Sequence, residues 1–198
     1  YGTVTGNSNT VALFGGNGAS VTGTVGKDVW ECTETEYWVP NCSYSFQAVA
    51  DGTIADGKIK VSVGDGNIDL LYAKATATTN EKAEPTSGVN ANGVVPFTFT
   101  HLMSKVGFKF TNGVTANAAY TFNVTGVSFT GHDTIGTYTI STGAWDETVS
   151  ASSAALSFGA AGAVAATAVN APTTHQIIPG EQTLAVTIVY DIKYNGTK

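Results

Sequence analysis

Phe97-Thr-Phe-Thr-His-Leu-Met-Ser-Lys-Val-Gly-Phe-Lys-Phe110 carries large apolar residues at odd positions 97 and 99, then at even positions 106, 108 and 110. Side chains along a β-strand alternate between faces, and a slip of one residue inverts them all. No single strand can keep Phe97, Phe99, Val106, Phe108 and Phe110 on one core-facing side. A bulge or short turn is therefore expected between His101 and Lys105. Such a kink frees backbone groups, which the side chains of His101 and Ser104 can satisfy.

The same two-residue period recurs on both sides of this segment. Tyr44, Phe46 and Ala48 share a face in Ser43–Val49, as do Ile59, Val61 and Val63 in Gly57–Val63. In Thr183–Ile192 one face carries Leu184, Val186, Ile188, Tyr190 and Ile192. Turn formers such as Asn7, Gly15-Gly16, Asp51-Gly52, Asp65-Gly66 and Asn112-Gly113 separate the runs. Many short strands punctuated in this way predict an all-β sandwich architecture. The Ala-rich stretch 151–171 reads as loose strands and loop because Gly159 and Gly162 oppose a helix. Residues 79–92 read as a polar surface loop. The turn at Asn112-Gly113 predicts two β-sandwich domains, 1–112 and 113–198.

Composition agrees. Charged residues make up 12% of the 198, about half the usual ~25%, and the 23 glycines and abundant Thr suit strands and turns better than helices. The net charge is −6 and Arg is absent, so the clustered cations that neutralise phosphates are missing and nucleic acid is excluded as a partner. No apolar run approaches the ~18 residues of a membrane span. Cys32 and Cys42 flank a short segment. If that segment is a hairpin, its ends meet at disulfide distance; the other reading is two unrelated thiols.

The C-terminal strand runs into Asn195-Gly196, a favoured two-residue hairpin turn, with only Thr197 and Lys198 beyond it. The return strand implied by the turn is not in this sequence: either the chain was cut or another molecule supplies the pairing, and a long apolar strand edge invites strand addition.

Motifs for phosphate loops, dinucleotide binding and a nucleophile elbow are absent, and no cofactor is expected. His101 with Ser104 and Lys105 could form a base–nucleophile set, although a structural role at the kink fits better. Asp65-Gly-Asn-Ile-Asp69 copies the start of a calcium loop, but position 76, where the bidentate Glu belongs, is Thr. Trp30, Trp38 and Trp145 read either as core or as a sugar-stacking platform. Asp146 and Glu147 are the carboxylates a glycosidase reading would use.

The 97–110 stretch resembles the F-x-F-x-H-x-x-S-K/R-V-x-F/V-x-F/L segment of the fimbrillins of the Bacteroidales, the type V pilins and their relatives. Phe97, Phe99, His101, Ser104, Lys105, Val106, Phe108 and Phe110 match it. Tyr37-Trp-Val-Pro-Asn-Cys-Ser-Tyr-Ser-Phe-Gln-Ala-Val49, Asp69-Leu-Leu-Tyr-Ala73 and Ile177-Ile-Pro-Gly-Glu-Gln-Thr-Leu184 resemble further segments of that family in the same order. Gly180-Glu181 spreads the usual Pro–Gln pairing, and the strands that normally follow are missing, which makes the second domain look incomplete. The resemblance implies two transthyretin-like sandwiches and export as a lipoprotein. It further implies a place at the outer membrane or in a surface fimbrium, with neighbouring subunits joined by donor-strand exchange. Membrane contact would be through a lipid anchor before processing, and ligands would be host or bacterial surfaces. The motif residues then read as core and not as catalytic groups. Asp133-Thr134-Ile135 resembles an O-glycosylation site, with Thr134 as acceptor. The leading reading is a non-enzymatic pilin or fimbrillin-like adhesin; the alternative is a secreted carbohydrate-binding module.

Overall fold

The computed structural model describes residues 1–6, 8–23, 30–64, 66–114, 119–146 and 152–197. Asn7, Asp65, Glu147 and Ala151 lie outside the described residues. Among the described residues, regular structure is β throughout, apart from one 3-10 turn at Phe14–Gly16. Along the chain come β1 (Gly2–Gly6), β2 (Asn9–Ala12), β3 (Val21–Gly23), β4 (Trp30–Cys32) and β5 (Ser43–Ala50). They are followed by β6 (Thr53–Ala55), β7 (Lys58–Ser62), β8 (Leu71–Thr79) and β9 (Pro85–Ser87). The kinked segment supplies β10 (Thr100–His101), β11 (Ser104–Val106) and β12 (Lys109–Phe110). After it come β13 (Tyr120–Thr130), β14 (Ile135–Thr139), β15 (Ala144–Trp145), β16 (Leu156–Ser157), β17 (Gly162–Val164), β18 (Val169–Asn170), β19 (His175–Ile177) and β20 (Ala185–Tyr194).

The expected break falls at Leu102–Met103, between β10 and β11. Val106, Phe108 and Phe110 pack against a buried cluster. Phe97 and Phe99 do not join a core: they are 36% and 44% exposed and contact each other at 6.3 Å between ring centroids. Both precede β10 and lie outside any strand, so the alternation read from the sequence does not bury them.

Two compact units form, and they are not the expected halves. One comprises 1–50 and 71–100, the other 51–70 and 101–198. The reason is pairing: the β6–β7 hairpin joins β14, from Ile135↔Ser62 to Thr139↔Lys58, and so carries residues 51–70 into the second unit. Asn112-Gly113 lies within that unit and is not its boundary. The stretch read as a polar loop at 79–92 contains β9, paired to β8.

In the first unit, the strands run β2-β1-β5-β8, with Leu13, Cys42, Tyr44 and Ala77 buried together and Trp38 and Phe46 packed against them. β3 and β4 form a separate hairpin. The second unit has one sheet of β6, β7, β14 and β15, and another in which β13 pairs with β16 and β17 on one edge and β20 on the other. The first of these sheets buries Ile59, Val61 and Val63, as their alternation predicts. The second contributes Val124, Val127 and Phe129 to a core with Leu156, Phe158, Ala171 and Ile177. Phe158 is fully buried and meets the rings of Phe108 at 4.7 Å, His175 at 4.8 Å and Phe129 at 5.2 Å.

That position sets the first prediction. Phe158→Ala should destabilise the protein by about 3–5 kcal/mol in equilibrium denaturation, and Phe158→Leu by less. An alanine effect below about 1 kcal/mol would mean the aromatic cluster is not the core of the second unit.

Candidate functional site

β13 and β20 pair antiparallel over their whole lengths, from Tyr120↔Tyr194 to Thr130↔Ala185, with a bulge at Thr125. The bulge decides what the sheet can bury. Before it, Phe122 and Val124 lie opposite Ile192 and Tyr190; after it, Val127 and Phe129 lie opposite Ile188 and Val186. One extra residue thus keeps even and odd members of β13 on the same core side. The partners on β20 share that side, yet Val186, Ile188, Tyr190 and Ile192 are 43–56% exposed. The core covers β13 and stops short of β20.

The backbone of β20 is equally one-sided. In an antiparallel ladder a residue directs its N–H and C=O to the same edge, and successive residues alternate edges. The Asn195 N–H donates to the Ala119 carbonyl at 2.8 Å, and the Thr125 hydroxyl donates to the Val189 carbonyl at 3.1 Å. Odd residues of β20 therefore face β13. Even residues face outward, where no strand among the described residues meets them. Tyr194 is the exception: its N–H donates to Thr197 at 2.9 Å and its carbonyl accepts from Thr197 at 3.0 Å. This closes the expected two-residue turn, with Asn195 at φ 48° and Gly196 at φ 81°, the left-handed conformation that such a turn requires. The outward peptide groups left over belong to Val186, Ile188, Tyr190 and Ile192.

The other predicted sites disperse. Cys32 and Cys42 are both free thiols, one exposed and one buried. Cys32 lies opposite Val21 in the β3–β4 hairpin, whereas the Cys42 thiol donates to the Pro40 carbonyl at 3.3 Å within the core of the first unit. The expected bridge is not formed because the two ends of the segment belong to different pairings. His101 does not cap the kink. Its Nδ1–H instead donates to the Asp69 carboxylate at 2.8–2.9 Å, joining two of the motif segments and engaging one of the carboxylates of the calcium-like stretch. Ser104, Lys105 and Val106 pair with Ile177, Gln176 and His175 through the backbone. Beyond Val106 the strands part around a shallow cleft of about 570 Å³, then meet again at Lys109↔Asn170. Thr134 is half-buried at the start of β14, beside buried Asp133 and exposed Ile135.

Each tryptophan has its own local contacts. Trp38 packs edge-on against Tyr44 at 4.6 Å. Trp145 packs against Tyr138 at 5.6 Å and donates its indole N–H to the Leu102 carbonyl at 3.2 Å. Trp30 is exposed, its ring lying over Gly23, where a Cβ would come within 2.7 Å of it. Asp146 accepts from Lys58 at 2.7 Å and from the Thr139 hydroxyl at 2.8 Å. The Lys58 hydrogen bond, followed by that from Thr139, holds its pKa below the usual carboxylate value, the opposite of what a glycosidase acid needs.

A model of the fimbrillin-like family matches residues 1–198. The chain belongs to the fimbrillin-like family. The fold of this fimbrillin-like protein is similar to a crystal structure of a fimbrial protein from Bacteroides vulgatus, with a TM-score of 0.68 at 16% identity, covering 99% of this chain and 78% of that one. It is also similar to candidate cell adhesion proteins from Bacteroides uniformis (TM-score 0.51, 19% identity, 94% and 71% covered) and Bacteroides ovatus (0.53, 18%, 98% and 76%). No protein with a curated description matches it.

The contact at Asp146 yields a pH dependence with a definite sign. A lowered folded-state pKa stabilises above the unfolded value of about 4, and that contribution fades as pH falls through the folded value. Wild type should therefore melt slightly above Asp146→Asn at pH 7, with the gap closing towards pH 3. A gap unchanged across that range in calorimetry would contradict the assignment.

Proposed function

We propose that this fimbrillin-like chain is a non-enzymatic structural subunit of a cell-surface fimbria, joined to its neighbours by strand addition at β20. An extended segment of a neighbouring subunit lies along the outer edge of the strand. Its alternate side chains cover the core side that β20 leaves open. The observation carrying this reading is that four alternating residues, Val186, Ile188, Tyr190 and Ile192, have outward peptide groups together with half-exposed apolar side chains on the core side.

Each feature alone is ordinary; together they describe an acceptor. Main-chain ladder bonds supply affinity in strand addition, and alternate side chains supply specificity. A net ~0.5–1.5 kcal/mol per hydrogen bond adds to roughly 1 kcal/mol for completing the burial of each half-exposed side chain, scaled from ~1.5–3 for full burial. The family membership supports the reading, as do the names of the similar structures, a fimbrial protein and candidate cell adhesion proteins. Transthyretin-like topology in both units, lipoprotein export and an outer-membrane site belong to the same proposal and rest on the motif resemblance.

The test uses fimbriae sheared from producing cells and resolved as SDS-resistant ladders. Tyr190→Pro removes an outward N–H while sparing every bond to β13, a position that tolerates proline in an edge strand. It should abolish the ladders with little change in subunit melting temperature, whereas Tyr190→Ala, which keeps the donor, should retain them in part. Full ladders in the proline variant would overturn the reading.

A further inference from the structure

We propose that the outer face of the first unit's sheet binds a neutral polysaccharide, laid across the strands on a lattice of hydroxyl groups. The site lies apart from β20, and the inference does not rest on the fimbrial reading.

The lattice follows from register. β1 carries Thr3-Val-Thr5, β5 carries Ser43-Tyr-Ser45 and β8 carries Thr76-Ala-Thr78. In each triplet the middle residue turns towards the core: Tyr44 and Ala77 are buried there, with Val4 packed against them. The flanking hydroxyls therefore share the opposite face. Pairing aligns them across the sheet. Thr10, Thr5, Ser43, Thr78 and Ser87 fall opposite one another in succession, from β2 to β9. Beside that row, Thr3, Ser45 and Thr76 form a second, which ends on Ala12. Spacing within a row is the ~4.8 Å between strands, and between rows it is ~6.8 Å, two residues of strand rise. All are exposed except Thr78, which is half-buried. The Thr5 and Thr10 hydroxyls lie 2.9 Å apart, and those of Thr78 and Ser87 2.7 Å. These bonds and the stiff χ1 of Thr hold the array in place before anything binds.

What the lattice lacks narrows its occupant. Neither row has a charged member, in a chain of net charge −6. The other sheets do carry charges away from their cores, Lys58 and Lys60 on β7, Asp191 and Lys193 on β20. A nucleic acid or an anionic polymer would meet no cation here. A protein or lipid partner would need a large apolar anchor, and no side chain in the rows is larger than Thr. Each hydroxyl offers one donor and two acceptor sites. The matching partner is therefore a repeating series of groups that both donate and accept, the hydroxyls of a sugar polymer. One such bond contributes little; repetition along the rows supplies the affinity. Adjacent strands twist by about 20–25°, so the rows turn gradually, as a flexible chain can follow and a rigid crystal face cannot.

The test is native-gel retardation of the full chain by polymers cast in the gel. Dextran, mannan and laminarin serve as neutral probes, and polygalacturonate as an anionic one. At least one neutral polymer should retard the protein, equally at low and high salt. Thr5→Val with Ser43→Ala removes two adjacent hydroxyls of the longer row. It should raise the dissociation constant about tenfold, the scale of two hydrogen bonds, without changing the melting temperature. Thr5→Ser with Ser43→Thr keeps both hydroxyls and should bind as wild type does. Retardation by none of the neutral polymers, retardation by polygalacturonate alone, or wild-type binding by the Thr5→Val, Ser43→Ala variant would overturn the proposal. Tyr190→Pro alters neither row, and its ladders decide the fimbrial reading separately.

Discussion

The ladder between β13 and β20 is the interaction on which the second unit and its reactivity both depend. β13 is the central strand: β16 and β17 cover one of its edges, and β20 takes the other. Its bulge at Thr125 lets Val124, Val127 and Phe129 all reach the buried cluster. Without that extra residue, half of the strand would turn its apolar side chains to solvent. The same ladder fixes the phase of β20. Once odd residues bond inward, the even ones must present their peptide groups outward, and these are also the residues whose side chains lie towards the core. Edge reactivity and apolar exposure are coupled by geometry.

Strand edges of this kind are usually shortened, charged or covered. β20 has ten residues, and its charged side chains, Asp191 and Lys193, stand on the face away from the core. The turn at Asn195-Gly196 limits the edge at one end by engaging Tyr194. Among the described residues, the outward positions that remain on β20 are Val186, Ile188, Tyr190 and Ile192.

Much of the local structure was legible in the sequence. The alternation of Ile59, Val61 and Val63, the turn at 195–196 and the break at Leu102–Met103 all follow from period and turn chemistry. Alternation could not show whether a shared face would be covered, so Phe97 and Phe99 looked like core and are half-exposed. Nor can it show which distant strand a hairpin will join, so the turn at 112 reads as a boundary while the units divide at the crossings set by β6, β7 and β14. The proximity of Cys32 and Cys42 along the chain carried no information about strand partners, and they separated. β13 carries a signal of its own in the sequence: Phe122 and Val124 are even, Val127 and Phe129 odd. That is the same phase slip that marks 97–110. The hydrogen bond from His101 to Asp69 joins segments thirty-two positions apart, a distance over which no local pattern speaks.

The most direct measurement is residue-resolved amide hydrogen exchange on the dilute, monomeric subunit. Thr187, Val189, Asp191 and Lys193 should exchange slowly because their N–H groups are bonded to β13, and Ile188, Tyr190 and Ile192 should exchange rapidly because theirs face solvent. Uniform protection along β20 in the isolated monomer would contradict an open edge.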